Sequence, residues 1–410
     1  MGSVETGLAL RMIRRPSAQS IAAAVAAILV VAAVSGSAAF VHVLGLPADA
    51  SEFSLPEWEA RNSSAKWLYK FGLLFRDKPS VEAENEAIFR FLSLTRAIDR
   101  LQEQTPDGAE AARQLEAMTA ARAKIESLVE AAIEGRITAV AEREGLKRSI
   151  PVLPDIVWPP VDMAFTDPPR TLAVSPRDRI VLESTTLLRP DLSLSEVERI
   201  ETEREKKGDV SALAFPTEGI GAYPTIVGYT SEYARAVEVA AHEWVHNYLA
   251  FRPLGVHYYA SANLRTINET VATIAGQEFA ALITKEWPIP SLPPQDSARP
   301  SIDVRAELSA VRRRVDALLA EGKVEEAEAF MEEQRQYLAA HGFRLRKLNQ
   351  AYFAFVNLYA GRSGSPGATN PVGPKVDELR RRTGSLGAFL RVAGTITSVD
   401  SLDRALAERE

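Results

Sequence analysis

The residues of this chain best equipped for chemistry are His242-Glu243-Trp244-Val245-His246 and, farther on, Asn268-Glu269. Positions i and i+4 of an α-helix share a face, so His242 and His246 can offer imidazole nitrogens to a single ion. Glu243 stands beside them, placed to activate water at the metal's open position rather than to bind the metal itself. A zinc site of this kind takes a third protein ligand. Glu269, inside the next apolar-periodic segment, is the best-placed carboxylate. The chain holds 5 histidines in 410 residues, so two of them at this spacing around a glutamate are uncommon by chance. It has no cysteine, which excludes a disulfide framework and a thiolate site and leaves zinc to His and carboxylate.

His-Glu-x-x-His on one helical segment followed by Asn-Glu on the next resembles the glutamate zincins, the thermolysin-like metallopeptidases. The resemblance covers residues 212–285. It implies hydrolysis of peptide or protein substrates, with zinc held by His242, His246 and Glu269 and with Glu243 as general base. It also implies a donor to the developing oxyanion. Tyr259 is the expected one, because these enzymes place a tyrosine in the loop ahead of their glutamate ligand; Tyr258, His257 and Tyr352 are the alternatives. Ala222 to Tyr229, just before the metal helix, takes the place of the edge strand that holds an extended substrate by backbone pairing. Two positions depart from the pattern. Thr273 stands where the family has an aspartate that orients a metal histidine, and Gly219-Ile-Gly-Ala-Tyr-Pro-Thr225 lacks the Gly-x-Met-Glu-Asn motif of the aminopeptidases. The role of Asn268 is left open.

The elements that position these residues follow from apolar spacing and turn chemistry. Arg11, Arg14 and Arg15 precede a stretch from Ile21 to Leu46 that is almost wholly apolar and longer than the roughly 20 residues a helix needs to cross a bilayer. Asp49, Glu52, Glu57 and Glu59 follow it, so the positive-inside rule puts the N-terminus in the cytoplasm and the remainder outside. A cleaved signal peptide ending at Ser37-Ala38-Ala39 is the competing reading, and it also exports the remainder. Trp58, Trp67, Tyr69 and Phe71 come next, in a region near the membrane surface or in ordinary packing. Apolar residues at helical spacing predict a helical hairpin over 81–104 and 107–148. Short strands are expected at 161–165, 179–183 and 212–215, with a helix from Leu194 to Lys207 opened by the Ser193-x-x-Glu196 capping box. The metal helix should start at Ser231 and stop at Pro253, and the second helix should run from Leu264 to Trp287. Further helices are expected over 304–321, 324–340 and 342–360, with short ones near 375–382 and 385–392 and a last one at the end. A turn-rich loop spans Arg362 to Pro374.

Together these predict an α+β protein: a zincin-like core of a small sheet with an edge strand, the His-Glu-x-x-His helix and the Glu-ligand helix, with helical additions on both sides and one transmembrane helix. The expected divisions are a cytoplasmic tail over 1–16, a membrane anchor over 17–46, a helical hairpin region over 47–150, a catalytic core over 151–290 and a helical subdomain over 291–410. A net charge of −6 argues against a nucleic-acid surface. The contrasting expectation is a non-catalytic envelope scaffold, with a structural metal and a partner-binding hairpin. Under the topology read here, protease added to cells with a permeabilised outer layer should degrade residues 50–410. Full protection alongside a cytoplasmic control would defeat that assignment.

Overall fold

Between 55 and 143 the described elements are all helices. Helix α1 (Leu55–Leu73) is followed by the expected pair α2 (Val81–Glu103) and α3 (Ala109–Arg143), which bury Ile88, Phe91 and Leu92 against Val129, Ile133 and Ile137. The apolar spacing at 55–73 is irregular, and that first helix was not anticipated. The computed structural model describes residues 49–73, 78–103, 108–148, 155–293, 300–359 and 371–409. No helix among the described residues is long and apolar enough to cross a membrane. The segment 17–46, expected to do so, lies outside them.

The fold is mixed α+β. Strands β1 (Lys147–Arg148) and β2 (Ile156–Val157) form a minimal antiparallel pair. Strand β3 (Met163–Phe165) belongs to the sheet nearest the metal motif, and β4 (Arg170–Pro176) and β5 (Ser184–Leu188) form an antiparallel hairpin in another. The strand expected at 179–183 is instead the connection inside this hairpin. Ser175 accepts a hydrogen bond from the Val181 amide and donates to the Arg179 carbonyl, stapling the crossing, and Ile180 packs against the C-terminal helices. Helix α4 (Leu194–Lys206) has its capping box intact, and β6 (Val210–Pro216) completes the sheet in the order β5-β4-β6.

Strands β7 (Gly219–Ile220) and β8 (Thr225–Val227) join β3 in the order β3-β8-β7, with β8 parallel to β3 and antiparallel to β7. This corrects the expectation for 222–229. Within that stretch only 225–227 is strand, and it is the middle one, because its Thr225 amide bonds the Asp162 carbonyl and its Val227 carbonyl accepts from Thr166. The outward amides of β3 are also engaged. Met163 donates to Glu134 at 2.9 Å and Phe165 to Glu130 at 2.8 Å, both carboxylates coming from one face of α3. Lys66 of α1 pairs with the same two glutamates at 2.9 and 2.7 Å, so one cation is shared between these buried carboxylates, and burial raises Glu130 to about 7. One edge of the sheet is thereby closed, and β7 is the other.

Helix α5 (Tyr233–Ala250), the one-turn α6 (Pro253–Val256) and α7 (Ala262–Glu286) carry the metal motif. The first starts two residues later than expected. The second begins at Ser261, whose hydroxyl accepts from the Leu264 amide. Helices α8 (Val304–Ala320), α9 (Val324–Ala340) and α10 (Gln350–Val356) build a separate apolar cluster with Leu213 of β6. The helix expected over 342–360 is confined to α10 and one 3₁₀ turn. Gly342 leaves α9 at φ +90°, and Arg346 and Lys347 turn aside to the fully buried Glu201 of α4. Helices α11 (Val372–Arg382), α12 (Leu386–Ala393) and α13 (Val399–Ala407) return to α7, so the C-terminal part divides between two cores.

Helices α5 and α7 lie unusually close. A Cβ on Gly276 would stand 2.8 Å from the Glu238 carbonyl oxygen and 3.1 Å from the His242 Cβ. Alanines Ala240, Ala241, Ala272 and Ala275 are buried along the same interface. Replacing glycine by alanine inside an ordinary helix stabilises it by about 0.5–1 kcal/mol, whereas overpacking costs about 1–3 kcal/mol. Gly276→Ala is therefore expected to lower the thermal midpoint. A midpoint unchanged or raised would mean that the two backbones have room to spare.

Candidate metal centre

The sequence of α5 decides which way its histidines face. Val237, Ala240, Ala241, Trp244, Val245 and Tyr248 are buried in the main core, and Trp244 is fixed by an indole hydrogen bond to the Pro159 carbonyl at 3.0 Å and by an edge contact with Phe279 of α7. With that stripe inside, His242 and His246 project toward the first half of α7. Their Nε2 atoms lie 3.1 Å apart, and Glu269 Oε2 lies 3.6 Å from the first and 3.5 Å from the second. The three residues expected to be ligands thus converge, and they form the group of potential metal donors found among the described residues.

Those separations can be compared with a metal site directly. Tetrahedral zinc with bonds of about 2.0–2.1 Å places its ligand atoms roughly 3.3–3.5 Å from one another. The three measured distances straddle that spacing, and the donor set is neutral imidazole plus carboxylate, which suits zinc.

Each donor has a partner that limits its rotation or charge. The Asn268 side-chain oxygen lies 2.8 Å from His246 Nδ1, so with Nδ1 protonated Nε2 is free for a metal. This identifies the role left open for Asn268. Thr273, where the resemblance implies an aspartate, is buried and bonds to neither histidine. Tyr258 donates to Glu269 Oε1 at 2.6 Å, leaving Oε2 turned to the histidines. Burial works against charge on Glu269, yet the adjacent imidazoles overcome it and hold the carboxyl well below its usual range. Burial likewise opposes the proton on His246, but Glu269 prevails and pushes it up to about 9.

Glu243 is buried, and burial raises its carboxyl above the usual value, with the two imidazoles opposing that rise and Glu269 adding to it. It lies under β7. A Cβ on Gly219 would fall 2.8 Å from Glu243 Cγ and 2.9 Å from Oε1, and one on Gly221 would fall 3.1 Å from His246 Cβ. Two glycines therefore let the strand backbone pass directly over the general-base candidate and a ligand. Asn247 holds the turn from β7 into β8, donating to the Ala222 carbonyl at 2.9 Å and the Thr225 hydroxyl at 3.2 Å.

The tyrosine pair is arranged differently from expectation. It is Tyr258 that reaches the ligand carboxylate. Tyr259 is exposed and stands edge-on to the Tyr258 ring at 4.8 Å. His257 bonds the Pro253 carbonyl, and Tyr352 packs with Phe215 and Phe353 in the second cluster. Nothing in periodicity separates Tyr258 from Tyr259. Their alternation around the loop is set by α6, a turn that Pro253 starts.

No protein-family model, curated protein or solved structure matches this chain.

The geometry makes separable claims about metal affinity. His246→Ala or Glu269→Ala should abolish stoichiometric zinc binding. Asn268→Ala, which frees only the far nitrogen of His246, should weaken it by about 10–100-fold. Zinc titration of the purified variants measures both. Undiminished affinity in Glu269→Ala would remove that residue from the ligand set.

Proposed function

We propose that the chain is a zinc-dependent metallopeptidase of the glutamate-zincin type. The observation that carries this reading is the convergence of His242, His246 and Glu269 at mutual distances of 3.1–3.6 Å, beside the buried carboxyl of Glu243 and against the free edge of a sheet. An ion held by the three residues would supply Lewis acidity toward water and the scissile carbonyl.

The chain's own residues account for the rest of the chemistry. Glu243 takes the proton from the attacking water and passes it to the leaving amine, and burial raises its carboxyl in the direction that favours accepting that proton. Strand β7 supplies the place for the substrate. With β3 closed by Glu130 and Glu134, the edge of β7 can pair with an extended peptide through main-chain hydrogen bonds. Because Gly219 has no side chain, such a peptide lies within reach of Glu243. Asn268 and Tyr258 act by orienting His246 and Glu269. Tyr258 and Tyr259 both border this space, and Tyr259, exposed at its rim, is the proposed donor to the oxyanion.

A scaffold with a structural metal is the reading from another class. Structural zinc takes four protein ligands, and the described residues bring three together. That count favours an open, catalytic site. The apolar run from Ile21 to Leu46, with the arginines before it, supports attachment to the membrane with the catalytic part exported.

Glu243→Gln preserves the shape of the side chain and removes its proton acceptor. Zinc content and thermal midpoint should stay at the wild-type level, while cleavage of a peptide library should fall by about 10²–10⁴-fold. Equal cleavage by the variant would refute the mechanism. A wild type that cleaves nothing would favour the scaffold.

A further inference from the structure

Arg265 occupies the second turn of α7, one turn ahead of Glu269 and on the same face of the helix. Its guanidinium carbon lies 5.7 Å from the centre of the Tyr258 ring and 5.4 Å from that of Tyr259, and the two rings meet edge to face. Its Nε is sealed from solvent and has no hydrogen-bond partner. No carboxylate among the described residues forms an ion pair with it. The nearest ionised ligand, Glu269, is engaged by the Tyr258 hydroxyl and the two histidines instead.

Such a placement is costly unless it is used. Ring faces compensate part of the lost hydration of a guanidinium, but they leave its Nε–H without a partner, and a buried donor without a partner costs about 1–3 kcal/mol. Most of the other partly buried arginines of this protein are spent on a partner. Arg136 bonds Tyr233 and Asn85, Arg177 bonds Glu328, Arg346 bonds Glu201 and Arg380 bonds Glu278. Arg265 differs from these in standing at the border of the metal centre.

We infer that Arg265 anchors a carboxylate of the substrate, on the side of the cleft bounded by Tyr258 and Tyr259. The inference rests on the metallopeptidase reading above and narrows its substrate class. The fork geometry of arginine matches a carboxylate by two parallel hydrogen bonds. The carboxylate is either the free C-terminus of a peptide or an Asp or Glu side chain; both present the same chemistry to Arg265. The two tyrosine rings hold the cation in place before the peptide arrives, which reduces the ordering cost of binding.

The test separates binding from hydrolysis. A set of alanine pentapeptides with one Glu scanned through the chain, each matched to its Gln counterpart, is prepared with free and with amidated C-termini. Binding to the zinc-loaded full chain carrying Glu243→Gln is measured by calorimetry. At least one carboxylate-bearing peptide should bind about tenfold or more tightly than its neutral match, the effect of a charge-assisted pair. That gap should fall to about twofold or less when Arg265→Gln is added, with zinc content and thermal midpoint unchanged. Loss on amidation identifies the C-terminus, and loss on Glu→Gln exchange identifies a side chain. Absence of any gap, or a gap that survives Arg265→Gln, overturns the inference. Should Arg265→Gln fail to fold, Arg265→Lys replaces it: a narrowed gap supports the fork, and an undiminished one overturns it. Wild-type hydrolysis of the same peptides is scored separately. A gap with no cleavage would sink the peptidase reading and leave the carboxylate site standing, whereas cleavage with no gap would do the reverse.

Discussion

The near contact of the α5 and α7 backbones is the constraint on which the rest depends. Two histidines on one helix can find each other by spacing alone, but a third donor from a second helix can approach only if those helices pack with almost nothing between them. Gly276 and the alanines around it supply that closeness, with the Gly276 Cα facing the Glu238 carbonyl and His242. Larger side chains would move Glu269 away from both imidazoles. The bulky residues of the interface, Trp244, Tyr248 and Phe279, are pushed to its flanks, where they form the core that fixes the crossing of the helices.

Around this crossing the protein closes every part of the small sheet but one. The carboxylates of Glu130 and Glu134 take the outward amides of β3, and Lys66 pairs with both. On the other side Glu59 accepts from the Tyr223 amide and Ser63 donates to its carbonyl, so α1 fastens the turn that leads into β8. The charges buried here are expensive, and their arrangement is informative for that reason. They are placed on backbone groups that would otherwise be unpaired, and they leave β7 as the edge strand of this sheet among the described residues.

What could be read in advance divides along the range of the interactions involved. The His-Glu-x-x-His and Asn-Glu pairs, the capping box of α4 and the extents of α8 and α9 depend on neighbours a turn away, and each was legible. The edge strand was misplaced because the position of β8 depends on a parallel pairing with β3 some sixty positions earlier, which no local pattern encodes. The strand placed at 179–183 failed for a related reason. Its apolar residues are recruited by the C-terminal helices rather than by the sheet. Asn268 was visible as a motif but silent as to role, since the atom it orients belongs to another helix. Choosing between two adjacent tyrosines required the course of the loop, which the short helix α6 sets.

That loop has a further significance. Residues 251–261 leave α5 and enter α7, two elements already locked together, so the segment is tethered at both ends to a rigid base and contributes no metal donor of its own. Of its two tyrosines, Tyr258 is committed to the Glu269 carboxylate, whereas Tyr259 is exposed and touches only the Tyr258 ring. A protein built this way can exchange the outer rim at Tyr259 without disturbing the cluster of His242, His246 and Glu269 beneath it. Under the proposed reading, selectivity and metal retention would then be separately heritable traits, and descendants of this chain could diverge in what they recognise while keeping one way of reacting.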